Sequence, residues 1–113
     1  MTQEESLSIY PLGSPPTRAE LEAFDRLIAV AESDTGQSRK CANFLLAWWN
    51  AGRNGGLDPT DLWGLDLELR DAAVSVFCLI ARWHYYPTSL PGGRGERLRA
   101  LVSQWRPEPS STA

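Results

Sequence analysis

The sequence predicts an all-α fold, a single compact domain of four principal helices plus one short helix. Three observations lead there. Apolar residues recur at steps of three and four in four separate stretches, the period of a helix with a buried face. Helix-start signals stand independently at Thr17, Asp58 and Asp66. No stretch alternates apolar and polar residues as a half-buried strand would, and no internal repeat is present. The expected core is Leu27, Ile28, Phe44, Leu45, Trp48, Val76, Leu79, Ile80 and Leu101.

The first helix opens at Thr17, which has capping-box spacing to Glu20, so each side chain can satisfy the other's free backbone N–H. Leu21, Phe24, Leu27, Ile28 and Ala31 then form one stripe. Glu20, Glu22, Asp25 and Arg26 fall mainly off it, and the early acids suit the helix dipole. An end near Glu32 or Ser33 is expected, with Asp34-Thr35-Gly36 as the turn. The second helix runs from about Gln37 or Ser38 to Ala51. Its apolar residues cover more than half the circumference, as in a central helix touched from several sides. Gly52 is placed for a left-handed C-terminal cap.

Asp58-Pro59-Thr60-Asp61 starts the short helix: Asp58 can cap, and Pro59 fits the first position, where its missing N–H costs nothing. Gly64 cuts this helix to one or two turns. Asp66 then caps a helix from Leu67 to about His84, burying Leu69, Ala72, Ala73, Val76, Leu79, Ile80 and Trp83. Pro87 ends it, because a proline disfavours helical geometry in the residue before it. TSLPGG at 88–93 is a loop. The last helix spans roughly Arg94 to Trp105, and Pro107 stops it. Flanking this domain at 17–106, a flexible arm is expected over 1–16 and a flexible tail over 107–113, both poor in apolar residues.

A chain of 113 residues is one domain by size. Its net charge of −3, with ten arginines but one lysine, is unevenly spread. That argues against a whole-molecule nucleic-acid binder but leaves room for a local basic patch. The N-terminal residues lack the features of a secretory signal, and no apolar run approaches the ~18 residues of a membrane span, so a cytoplasmic location without membrane contact is expected. Cys41 and Cys78 fall in apolar helical patterns and are expected as reduced, buried small hydrophobes. Their separation, and so their capacity to pair, cannot be read from sequence.

No pattern carries catalysis. The lone histidine, His84, and two cysteines fall short of a zinc ligand set. Asp58, Asp61 and Asp66 lack the spacing of a calcium loop and are read as helix-start residues. His84 has no nucleophile or orienting acid beside it in sequence, and it suits a helix C-terminus. GRNGG at 52–56 and GGRG at 92–95 lack the Lys-Ser/Thr of a phosphate loop. The protein is therefore expected not to be an enzyme, and no cofactor or metal is expected.

The five tryptophans point elsewhere. Trp48 and Trp49, adjacent on a helix, sit about 100° apart around its axis and cannot both face one core centre. Either Trp49 and Trp63 pack inward, or they form an aromatic recognition surface, since indoles are enriched at binding hot spots. The candidate rim is Trp49, Asn50, Arg53, Asp58, Asp61 and Trp63. Its expected partner is another protein, a second copy (a homodimer) included. The competing reading is a DNA-binding regulator with a helix-turn-helix-like pair at 21–51, reading bases with Ser38, Arg39, Lys40 and Asn43. Arg94, Arg97, Arg99 and Arg106 form a second possible basic footprint, more simply read as a solvated face.

Taken together, SDTGQSR at 33–39, FLLAWWNAGRNGGLDPTDLW at 44–63 and IARWHYYP at 80–87 resemble a family of small uncharacterised proteins encoded on plasmids and integrative elements of proteobacteria. The resemblance runs from about Phe24 to Arg106. It implies a mobile-element context in the bacterial cytoplasm and brings no catalytic residues; the expectation of a small accessory or regulatory interaction module comes instead from the missing catalytic and metal sets and the surplus aromatics.

Overall fold

The computed structural model describes residues 11–107; residues 1–10 of the expected arm and 108–113 of the expected tail lie outside it. The fold is all-α: α1 (Arg18–Ala31), α2 (Gly36–Asn54), a short 3₁₀ helix (Pro59–Gly64), α3 (Leu67–Arg82), a single 3₁₀ turn (Pro87–Ser89) and α4 (Arg94–Trp105). No strand occurs among the described residues.

Local chemistry sets most helix ends. Thr17 and Glu20 form the complete capping box of α1: Thr17 Oγ1 accepts from Glu20 N at 3.1 Å, and Glu20 Oε1 accepts from Thr17 N at 2.9 Å. Thr35 caps α2 by accepting from Ser38 N at 3.0 Å. Asp58 caps the 3₁₀ helix, with Pro59 in its first turn. Asp66 occupies the cap position of α3, but its side chain makes no cap bond. Instead its backbone N–H donates to Gln37 Oε1 of α2. α3 stops at Arg82, two residues short of His84.

The end of α2 differs from expectation. The helix breaks at Asn50 (φ −162°, ψ 86°) and resumes for one turn, with Asn50 Oδ1 accepting from Arg53 N at 3.1 Å. Asn50 thus caps the restarted turn, as a short polar side chain competes with the helical ladder. The helix finally ends at Gly55, not Gly52. Gly55 has φ 101° and ψ 151°, a conformation closed to residues with a β-carbon.

α1 packs against α2, α3 and α4. The core joins Phe24, Leu27 and Ile28 of α1 to Leu45 and Leu46 of α2, Val76 and Leu79 of α3, and Leu98 and Leu101 of α4. Burying each such side chain contributes about 1.5–3 kcal/mol before entropy costs. Trp48 and Ile80, expected in the core, are only partly buried; Trp48 meets Phe24 edge-on at 6.4 Å between ring centres. Cys41 is fully buried, but Cys78 is exposed, which corrects the expectation of two buried thiols. The α3 helix is apolar around most of its circumference, and only one side of it is covered.

Two polar systems brace the core. Arg82, buried on α3, grips Glu20 through both oxygens at 2.6 Å, and also donates to Ser14 Oγ and the Pro15 carbonyl at 2.8 Å each. Gly13 N donates to the Arg82 carbonyl. Residues 13–15 of the expected arm are therefore held against the domain. Burial pushes the Glu20 carboxyl up, but the Arg82 guanidinium and the Thr17 N–H outweigh it and leave the pKa lowered. On the other side, Arg94 grips Asp25 and Arg97 grips Glu32, each through two bonds of 2.7–2.8 Å. Trp105 Nε1 donates to the Ala31 carbonyl at 2.8 Å, closing the end of α1.

Candidate functional site

The sequence-derived rim does not come together as one patch. Trp49, Asn50 and Arg53 surround the break in α2 and line a shallow hollow with Asn54 and Val102. Trp63 lies at the opposite end of α2. Gln37, in the first turn of α2, donates to the Gly64 carbonyl and accepts from Asp66 N, so the 3₁₀ helix is tied to that end. Gln37 and Trp49 are twelve residues apart, about 18 Å along a helix axis. Asp58 and Asp61 lie on the connection between the two ends. The Asp58 carboxyl accepts from Thr60 N, which holds its pKa below the usual range, and it serves as a cap.

The four proposed base readers fare differently from one another. Ser38 is fully buried, with its hydroxyl 2.8 Å from Thr35 Oγ1. Asn43 Oδ1 accepts from Arg106 Nη2 at 2.5 Å. The Lys40 ammonium lies over the Gly64 backbone, where a β-carbon would collide with it. Arg39 is exposed. Three of the four are thus engaged by the fold, and the docked 3₁₀ helix stands beside the first turn of α2. The second basic footprint is similarly committed: Arg94 and Arg97 are paired to α1 acids, and Arg106 Nε donates to the Asn54 carbonyl. Arg99 remains exposed beside Glu96.

Two adjoining apolar features are open. The first is the outward face of α3. Trp63 is 85% exposed, and Leu67, Val74 and Phe77 follow at helical spacing, 65%, 49% and 38% exposed. Cys78 and Ala81 lie on the same face, as do Arg70 and Asp71, which are exposed and paired to each other. Phe77 leans on Phe44 of α2, with ring centres 4.9 Å apart. The second feature is an aromatic hollow at the far end of α3, lined by Trp48, Ile80, Trp83, His84, Tyr85 and Tyr86. Trp83 and Tyr85 stand 5.1 Å apart at 45°. Trp48, Trp49, Asn50, Ala51 and Tyr86 line an adjacent hollow at the break in α2, so Tyr86 and Trp48 are shared walls.

The sequence-derived rim contains Trp49 and Trp63 but not Tyr85, Tyr86 or the outer face of α3. The available signal was the YYP triplet and the number of apolar residues in α3, more than one buried stripe requires. Among the described residues, no group of three or more His, Cys, Asp or Glu side chains is gathered as for a metal ion. No helix among them is long and apolar enough to cross a membrane.

No curated protein and no solved structure matches the chain. A family match covers residues 21–106, from α1 through α4, and so includes both open features. The chain belongs to DUF7673, a family of unknown function.

Proposed function

We infer that the protein is a non-enzymatic protein-interaction module, serving as a regulatory accessory of a mobile genetic element. The outward face of α3, with Trp63 at its head, carries this reading. Leu67, Val74 and Phe77 are large apolar side chains left exposed on one face of α3, beside the paired Arg70 and Asp71, and exposed apolar side chains gathered with a polar border mark a contact surface. The mobile-element context rests on the resemblance of the SDTGQSR, FLLAWWNA and DLW segments.

A second copy is the first partner to test, since a twofold pair buries one patch against itself. In an antiparallel α3 pair centred on Val74, Leu67 of one copy lies opposite Ala81 of the other, large against small. Sedimentation velocity over a wide concentration range should then show a shift from monomer to dimer. Val74→Glu should abolish that shift and leave the melting temperature nearly unchanged. A chain monomeric at every concentration removes self-association and leaves a different protein as partner. Crosslinking in host extract would then have to recover species with the wild type and lose them with Val74→Glu. Identical recovery by both proteins sinks the reading.

A further inference from the structure

We propose that a second copy of this chain docks on α3 in one antiparallel register, with Arg70 of each copy against Asp71 of the other. This rests on the protein-interaction reading and names the partner, the alignment and the residues that fix it. The order of side chains along the exposed face carries the proposal. Trp63 and Leu67 precede the Arg70–Asp71 pair, and Val74 and Phe77 follow it. The face is therefore symmetric about its middle, with two large apolar groups, a cation, an anion, then two large apolar groups. A twofold axis between residues 70 and 71 lays such a face on its own copy with every group matched, as an isologous contact requires.

Helix geometry permits this contact. At 100° per residue, Leu67, Arg70, Asp71, Val74 and Phe77 all fall within about 120° of the α3 circumference. With the axis between 70 and 71, Leu67 lies opposite Val74 of the other copy, and the Trp63 end meets the Phe77 end. Centring the pair on Val74 instead slides one helix past the other by about seven residues, or roughly 10 Å. Arg70 then faces Cys78 and Asp71 faces Phe77, so neither charge finds an opposite one across the contact. Complementary charges favour the first alignment, and mismatched ones disfavour the second.

The bond within each chain does not stand in the way. Arg70 reaches Asp71 at 3.3–3.4 Å along its own helix, with the two side chains 50% and 73% exposed. Adjacent helical residues do not face each other, and an exposed pair contributes little. Docking exchanges it for reciprocal pairs across the axis, so every charge keeps a counter-charge throughout. A single helix face buries a modest area, which makes the expected dimer weak and concentration-dependent.

The experiment uses two full-length variants, Arg70→Asp and Asp71→Arg. Each sets like charges against each other in its own dimer, twice by symmetry, whereas a mixture of the two sets opposite charges together. In sedimentation velocity each variant alone should dimerise at least about tenfold more weakly than wild type, and an equimolar mixture should regain the wild-type shift. Recovery on mixing cannot come from a folding defect. Single variants that dimerise like the wild type, or a mixture no better than its components, would overturn the register. Val74→Glu should abolish the shift in either alignment, so the interaction reading survives that result. A wild type monomeric at every concentration overturns this proposal, and the crosslinking test on α3 then decides the interaction reading.

Discussion

The α1/α4 side and the α2/α3 side of the molecule use the same residue types in opposite ways. On the first, Trp105 closes the last turn of α1 with its N–H, and Arg94 and Arg97 each clasp an α1 carboxylate. Gln104 donates to the Glu32 and Ser33 carbonyls, so the C-terminal end of α1 is saturated. On the second, Trp48, Trp49, Trp63 and Trp83 leave their N–H groups without acceptors among the described residues, and α3 keeps apolar side chains in solvent. A tryptophan therefore says little by itself about core or surface. What distinguishes the two sides is whether a backbone carbonyl from another helix end lies within reach of the ring nitrogen.

The strongest way to break the contrast is to attack the polar clamp beneath it. Arg82→Ala should cost about 3–5 kcal/mol in urea unfolding, because it leaves the Glu20 carboxylate buried without its counter-charge. Adding Glu20→Gln should recover part of that loss, since glutamine retains the capping box and removes the stranded charge. A double variant no more stable than Arg82→Ala would mean that the guanidinium acts through packing alone.

Acid should act next. The carboxyl of Glu32 is held below its ordinary value of 4.5 by its bond to Arg97, and that of Glu20 is lowered as described. The unfolded chain therefore takes up protons first as pH falls. The stability from both pairs should be complete above about pH 4.5, and be lost as pH drops through the lower folded values. Circular dichroism melts at stepped pH measure this, and Glu32→Gln should flatten the acid limb.

A smaller effect separates the tryptophans themselves. Trp105→Phe should cost about 1 kcal/mol through the lost bond to Ala31, beyond the change in packing. Trp63→Ala should stay within about 0.5 kcal/mol, as at other exposed positions. Comparable losses in thermal melts would erase the distinction between the two sides.

The smallest effect leaves stability untouched and marks the open face directly. Burial pushes the Cys41 thiol up to about 11, so it stays protonated, whereas Cys78 is exposed on α3. A thiol reagent should modify one cysteine in the native protein and both in denaturant. Two reactive thiols at once would show that α2 is not packed as described.

What could be read in the sequence was what is local. The Thr17–Glu20 box spans three residues, and Gly93 and Pro107 bracket Arg94–Trp105, so these ends follow from neighbours alone. Pairings across the chain were hidden. Arg82 and Glu20 are 62 residues apart, and Arg97 and Glu32 are 65 apart, and nothing in either helix announces its partner. Helical period marks which residues of α3 can be buried, but not which face finds a neighbour. Cys78 and Ile80 therefore came out more exposed than their spacing implied. The break at Asn50 was half legible: an interruption near Gly52 was expected, but a capping asparagine moved it two residues earlier and let another turn form. Of the candidate rim, Trp63 is exposed and Trp49 partly buried, and the return of the 3₁₀ helix along α2 separates them.

The clamp around Arg82 also says where the heritable unit and the physical unit part company. Arg82 lies inside the segment that defines the family, which begins at residue 21, yet Gly13, Ser14, Pro15 and Glu20 all precede it. A fragment trimmed to the recognisable span would keep the guanidinium and discard these partners, together with Thr17. Such a fragment would leave the buried Arg82 guanidinium without its carboxylate and should be markedly less stable than the full chain.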